Sequence, residues 1–238
     1  MWRMPYSIAL NLHRLPKLVY TMHRMVDRPD LYTRQDGYDY VRYIITLMKK
    51  TGHMRTQCFG SENLPGEGGY LLCPNHQGKY DAYSIVDVHE RAISLGMDRE
   101  QSYHIFVSEI VDVLKGKRMD IHDARHGLTI IRQVAKELEE GIPHVIFPEG
   151  GYDNAKRNTL WEFKPGCFKA ATKAKVPSVP TVLVDSYKVY NSWHLGPITT
   201  QVHYLKPIPY EEYQDLNTHQ IADLVKGRIQ EKLTELGY

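Results

Sequence analysis

The sequence predicts an α/β domain, a mixed and largely parallel sheet flanked by helices, preceded by an N-terminal amphipathic two-helix segment. Three observations carry this expectation. After Gly52, short apolar segments, some of them β-branched, are each followed by a helical pattern, the alternation that builds parallel strand pairing. Before Gly52, apolar residues keep helical spacing instead. The 238 residues suit one domain or one domain with a small appendage. We place the division between residues 56 and 57, with 1–56 as the helical segment and 57–238 as the α/β domain.

In the first element Ile8, Leu12, Leu15, Val19 and Met22 recur at steps of four and three, which at ~100° per residue keeps them in one stripe. Pro16 lacks a backbone donor and clashes with the preceding turn, so this element is a kinked helix or two short ones. A second stripe, Tyr38, Val41, Ile45 and Met48, runs beside Arg42, Lys49 and Lys50. Both stripes suit packing on a core, and both suit lying in a membrane interface. The expected strands are Gly69–Cys73, Tyr103–Val107, Pro143–Phe147, Val179–Val184 and Thr200–Leu205. Between them Leu128, Ile131, Ala135 and Leu138 mark a helix closed by Gly141, and Gly166–Ala174 marks another. Thr218 is the expected cap of a last helix whose apolar face is Ile221, Leu224, Val225, Ile229, Leu233 and Leu236.

A hydrophobic fraction of 42% with 24% charged residues supports a core and argues against long disorder. Thirty Lys and Arg against 28 Asp and Glu leave a net charge of +2, no global field for nucleic acid. The charge is instead local: residues 1–28 carry Arg3, Arg14, Lys17, Arg24 and Arg28 against Asp27 alone, a net +4. Cys58, Cys73 and Cys167 are an odd count without CxxC spacing, so neither a disulfide framework nor a structural zinc site is expected, and the compartment reads as reducing. No apolar run approaches the ~18–20 residues of a membrane span, and polar residues interrupt any signal-peptide core.

Two segments carry chemistry. Cys73-Pro74-Asn75-His76-Gln77-Gly78-Lys79-Tyr80-Asp81 falls where a strand ends and a helix begins. A carboxylate on one imidazole nitrogen fixes the tautomer and leaves the other as a base. On one continuous helix His76 and Asp81 would point ~140° apart, so their pairing needs the bend that Pro74 and Gly78 permit. Pro143-His144-Val145-Ile146-Phe147-Pro148-Glu149-Gly150-Gly151 is a second strand ending in a proline, an acid and a glycine pair, at the strand end where α/β sheets bind ligands. His122-Asp123-x-x-His126 places two histidines four apart but supplies no third ligand, so no metal is expected. Cys167 reads as a small buried hydrophobe, not a nucleophile.

Together these segments resemble the glycerolipid acyltransferase family, in particular its 1-acyl-sn-glycerol-3-phosphate acyltransferases. Asn75-His76-x-x-x-x-Asp81 matches the catalytic motif and Phe147-Pro148-Glu149-Gly150 the acyl-acceptor motif. Phe163-Lys164-Pro165-Gly166 and Val176-Pro177-Ser178-Val179-Pro180 resemble the lysine-glycine and proline segments that follow, in the same order. The chain departs from the family at Ile121 and Tyr152, where arginines associated with the acceptor phosphate are usual. Arg125 and Lys164 are the candidate substitutes, arginine as a bidentate ligand and lysine as a point charge.

The resemblance implies transfer of a fatty acyl group from acyl-CoA or acyl-carrier protein to the sn-2 hydroxyl of 1-acyl-glycerol-3-phosphate, giving phosphatidic acid in phospholipid biosynthesis, with no cofactor. It implies His76 as base and Asp81 as its partner, with Asn75, Glu149 and Gly150 in substrate binding, at the cytoplasmic face of a membrane as a peripheral protein. Alternatives are the same chemistry on another lysophospholipid or amphiphile, a non-catalytic lipid-binding module, and a metal-dependent hydrolase using His76, Asp81 and Glu149.

Overall fold

The computed structural model describes residues 3–104, 106–120, 123–193 and 196–238. Helices α1 (Arg3–Asn11), α2 (Leu15–Asp27) and α3 (Arg34–Gly52) lead into strand β1 (Met54–Phe59), then β2 (Leu71–Pro74) and α4 (Asp81–Val88). Strand β3 (Ser94–Asp98), α5 (Val107–Val113), β4 (Lys117–Met119), α6 (Ala124–Glu139) and β5 (His144–Val145) follow. After α7 (Phe168–Ala174) come β6 (Ser178–Val184), α8 (Lys188–Asn191), β7 (Ile198–Tyr204), α9 (Tyr210–Tyr213) and α10 (Thr218–Glu235).

The seven strands form one sheet in the order β1-β7-β6-β2-β5-β3-β4. Parallel pairing joins β6, β2, β5, β3 and β4, and β7 turns antiparallel to β6 with β1 parallel beside it. Period-two alternation divides each inner strand between two cores. Leu71, Cys73, Val182 and Val184 face Val134 and Leu138 of α6, Phe168 of α7, and Val225 and Ile229 of α10. Tyr70, Leu72, Leu183 and Val202 face Leu18 and Met22 of α2, Tyr38 and Val41 of α3, Ile85 of α4 and Ile110 of α5.

The two N-terminal stripes resolve differently. Tyr38, Val41 and Ile45 of α3 are buried, and the helix starts on a capping box in which Thr33 and Asp36 satisfy each other's backbone N–H. The first stripe is only partly a core stripe: Met22 is buried and Leu15 and Val19 pack against the core, whereas Ile8 is 45% and Leu12 62% exposed. A polar edge of α1 turns inward instead. Ser7 Oγ donates to Met48 O at 3.2 Å and Asn11 Nδ2 to Thr51 Oγ1 at 3.0 Å, so α1 docks on the last turn of α3 by hydrogen bonds. Pro16 lies in the first turn of α2, where its missing N–H is not needed, after a single 3₁₀ turn at Leu12–Arg14. Strand β1 runs through the position between residues 56 and 57.

Two element expectations are corrected. Tyr103–Val107 is not a strand: a 3₁₀ turn at Gln101–Tyr103 precedes α5, and Ile105 lies outside the described residues. The helical spacing of Phe106, Ile110 and Leu114, all packed into one core, outweighs the β-branched composition of the segment. Asn217, not Thr218, caps α10, with Gln220 closing the box. Three strands, β1, β3 and β4, were not anticipated. The first is an edge strand with five of its six residues outside the core, and β4 has three residues, none buried. Among the described residues no helix is long and apolar enough to cross a membrane.

Candidate active site

β2, buried along its whole length, ends at Pro74, and the chain bends through Gln77 and Gly78 before α4 starts at Asp81. The bend brings His76 Nδ1 to 2.6 Å from Asp81 Oδ2. Asp81 is fully buried, and a buried carboxylate is tolerated only when its lone pairs are met by donors. Four groups meet them: the His76 ring, the backbone N–H of Gln77 at 2.5 Å, that of Gly78 at 2.9 Å, and the Ser186 hydroxyl. The pairing places the imidazole proton on Nδ1 and leaves Nε2 available as an acceptor, with no protein partner among the described residues.

The loop is tied down on both sides. Asn75, expected in substrate binding, is buried, and its amide forms a two-bond clamp with the Leu183 main chain, accepting at 2.7 Å and donating at 3.0 Å. Gln77 donates to Leu183 O at 2.8 Å and to Asn158 at 2.6 Å while accepting from Ser186. Glu149 uses one carboxylate oxygen to accept from the His76 backbone N–H at 3.1 Å and the other from that of Trp161 at 3.3 Å. Burial outweighs these bonds and pushes the Glu149 carboxyl up to about 7.

Aromatic rings enclose the imidazole. Phe147 stacks on it with centroids 4.1 Å apart, and Tyr152 meets it edge-on at 4.7 Å. Burial, and next the Asp81 charge, push the Tyr152 phenol up, so it is a neutral group at physiological pH. Gly150 adopts a φ of +66°, and a Cβ there would come within 2.6 Å of Lys164 Nζ. Glycine is therefore what lets the lysine side chain lie over this turn.

The structure thus gathers His76, Asp81, Asn75, Glu149, Gly150 and Lys164 at one end of the sheet. No hydrogen bond or ion pair among the described residues joins Arg125 to them. Arg125 is exposed in the first turn of α6, where its N–H donates to Asp123 Oδ1 and its carbonyl accepts from the Thr129 hydroxyl. Ile121 and His122 lie outside the described residues, and His126 Nδ1 accepts from the Asp120 N–H at 3.2 Å. Among the described residues no cluster of three or more His, Cys, Asp or Glu is placed to hold a metal. Burial pushes the Cys167 thiol up to about 12, so it supplies no thiolate. Ser186, Gln77, Asn158 and Phe147 were missed as site residues in the sequence. Ser186 lies 105 residues from Asp81 and only β6, beside β2, carries it there.

Residues 55–184 match the model of the Acyltransferase family. The chain is 23% identical to the 1-acyl-sn-glycerol-3-phosphate acyltransferase of Saccharomyces cerevisiae, over 81% of this chain and 64% of that protein. It is 25% identical to the enzyme of the same name from Haemophilus influenzae, over 68% of this chain and 67% of that protein. The chain therefore spans just under two thirds of the yeast relative. Its fold is similar to the crystal structure of the 1-acyl-sn-glycerophosphate acyltransferase PlsC from Thermotoga maritima, with a TM-score of 0.73, 17% identity, and coverage of 98% of this chain and 97% of that one.

The Glu149 carboxyl makes stability depend on pH in a defined sense. Its folded pKa, about 7, lies above the usual carboxylate value, so between about 4.5 and 7 the native state binds more protons than the unfolded one. Its contribution is favourable below that window and is lost as pH rises through it. Denaturant titrations at pH 5 and pH 8 should show wild type losing on the order of 2–3 kcal/mol relative to Glu149→Gln over that interval. An equal pH dependence in the two proteins would show that Glu149 is ionised throughout.

Proposed function

The chain belongs to the Acyltransferase family, and from that premise we propose that it transfers a fatty acyl group from a thioester, acyl-CoA or acyl-carrier protein, to the sn-2 hydroxyl of 1-acyl-glycerol-3-phosphate. The observation that carries the reading is the 2.6 Å bond between His76 Nδ1 and Asp81, which leaves Nε2 unengaged by protein. In this reaction Nε2 takes the proton of the acceptor hydroxyl as its oxygen attacks the thioester carbonyl. The C–O bond forms, the C–S bond breaks, and the thiolate leaves with the proton that the imidazolium returns. Asp81 stabilises the imidazolium, and the face of Phe147 adds a cation–π contribution. The amides of His76, Gln77 and Gly78 are already engaged by Glu149 and Asp81, so the donor that meets the oxyanion is another group.

Glu149 supports this site by holding the His76 main chain, and Gly150 by admitting Lys164 above its turn. The acceptor phosphate then lies against Lys164, whose side chain lies over the Gly150 turn. Arg125 remains a second contact for that phosphate from the start of α6. The enzyme works as a peripheral protein at the cytoplasmic face of a membrane, where its lipid acceptor resides. Exposed Ile8 and Leu10 on α1, Leu12 in the 3₁₀ turn and Tyr20 on α2, with Arg14, Lys17 and Arg24 nearby, support that location.

Purified His76→Ala protein should keep its fold and lose acyl transfer, and Asp81→Asn should lose most of it. The assay is mass spectrometry of products from a panel of lysolipids and acyl thioesters, which also separates the phosphate acceptor from other amphiphiles. Near-normal turnover of His76→Ala would sink the mechanism.

Lys164→Ala should raise the acceptor KM by about tenfold or more while the donor KM moves much less, as expected for a lost charged hydrogen bond of ~1.5–3 kcal/mol. Arg125→Ala should act in the same direction with a smaller effect. Unchanged acceptor kinetics in both variants, with equal use of a phosphate-free acceptor, would replace lysophosphatidate by another amphiphile.

For location, the double substitution Leu10→Glu and Leu12→Glu changes exposed residues only and leaves the buried Met22 in place. It should reduce co-sedimentation with anionic vesicles, and added salt should weaken wild-type binding. Unchanged co-sedimentation of the variant would remove these helices from the membrane contact.

A further inference from the structure

A cleft at the same end of the sheet as His76 takes no part in the chemistry described so far. It encloses about 350 Å³ and is lined by Thr46, Lys49, Lys50, His53, Arg55 and Pro197 among others. Most of this lining precedes the span matched by the family model. Strand direction fixes its position. β1 runs parallel to β7, β7 antiparallel to β6, and β6 parallel to β2, so the N-terminal end of β1 opens where the C-terminal end of β2 presents His76. Three strand spacings, about 14 Å at ~4.8 Å each, separate β1 from β2. A direct contact links the two regions: the Thr56 hydroxyl lies 3.4 Å from that of Tyr80, the residue before Asp81.

The cleft holds positive charge that the protein leaves largely unneutralised. Lys49 pairs with Asp87 of α4. Lys50, His53 and Arg55 are exposed, and no carboxylate pairs with them among the described residues. Two carbonyls at the end of α3, which would repel an anion, are themselves engaged. Arg3 is buried beneath them and donates to Gly52 O at 2.8 Å and to His53 O at 3.4 Å. On the other side of β2, beyond β5, Lys164 lies over Gly150. Cations therefore flank His76 from two directions, and a transfer between two phosphate-bearing substrates requires two such places.

Resting on the acyl-transfer reading above, we propose that this cleft binds the phosphate end of the thioester donor, the phosphate that terminates the pantetheine arm in coenzyme A and in acyl-carrier protein alike. The extended arm spans the gap from the cleft to His76 and delivers the thioester beside Nε2, while the acceptor enters from the Lys164 side. A concave site at the catalytic edge suits one discrete phosphate better than a planar array of lipid headgroups.

The test is the full-length Lys50→Ala, Arg55→Ala double variant, whose changes touch exposed side chains only. Calorimetric binding of coenzyme A to His76→Ala protein, which does not turn over, should weaken by about tenfold or more when the double substitution is added. In the active background the KM for acyl-CoA should rise similarly, with kcat and the acceptor KM within about twofold. An acyl-N-acetylcysteamine thioester, which lacks the phosphate, should be used equally by both proteins. If acyl-carrier protein alone shows the rise, with coenzyme A unaffected, these residues contact the carrier protein and not the shared phosphate, and the proposal fails. Unchanged constants for both donors overturn the proposal, and unchanged donor constants with lost anionic-vesicle binding reassign the cleft to lipid headgroups. A wild-type protein that binds coenzyme A through these residues yet acylates no acceptor would refute the acyl-transfer reading and leave the cleft assignment standing.

Discussion

The site depends on one buried charge. Asp81 is removed from water at the start of α4, and an ionised carboxylate there is tolerable only because four donors converge on it. Those donors come from the His76 ring, from two consecutive amides of the bent loop and from a serine at the end of β6. Satisfying the carboxylate therefore fixes the loop conformation, the imidazole tautomer and the docking of β6 against β2 together. Removing any donor leaves a lone pair of a buried anion unmet, a larger penalty than the net worth of the bond itself.

A second layer holds that arrangement in place. Asn75 and Gln77 both bond the Leu183 main chain, and Asn158 joins Gln77 to Asp185. These contacts cross from β2 to β6, so the His76 loop is anchored to the two central strands of the sheet. The reversal at β7 then matters for function as well as for packing. By turning β7 and β1 antiparallel to the rest, the fold brings the end of α3 and the start of β1 to the catalytic edge, where a wholly parallel sheet would have placed a strand's C-terminal end.

The legible parts of this molecule were those whose partners are close in sequence. His76 and Asp81 are five apart, and the proline and glycine around them announced the bend that joins them. β2, β5 and β6 were readable because they are buried along their whole length, and α6 and α10 because their apolar residues keep a helical period. β1 was not, since an edge strand with an exposed outer face carries no apolar alternation. The inward edge of α1 was hidden for the opposite reason: Ser7 and Asn11 are buried through hydrogen bonds, so hydrophobic periodicity pointed to Ile8 and Leu12, which face outward. Ser186 could not be found by spacing, because its contact with Asp81 exists only after β6 has paired with β2.

The departure at Tyr152 gains a physical meaning from this geometry. Its ring meets the imidazole edge-on at 4.7 Å, close enough that a guanidinium in its place would oppose a positive charge on His76, the proposed base. A neutral phenol avoids that opposition. Phe147 stacked on the ring and Asp81 on Nδ1 hold the imidazole in one orientation. Lys164, the proposed contact for an acceptor phosphate, reaches the turn at Gly150 instead. Separation of the two proposed roles, proton acceptance at His76 and phosphate neutralisation at Lys164, follows from where this chain places its aromatic and its basic side chains.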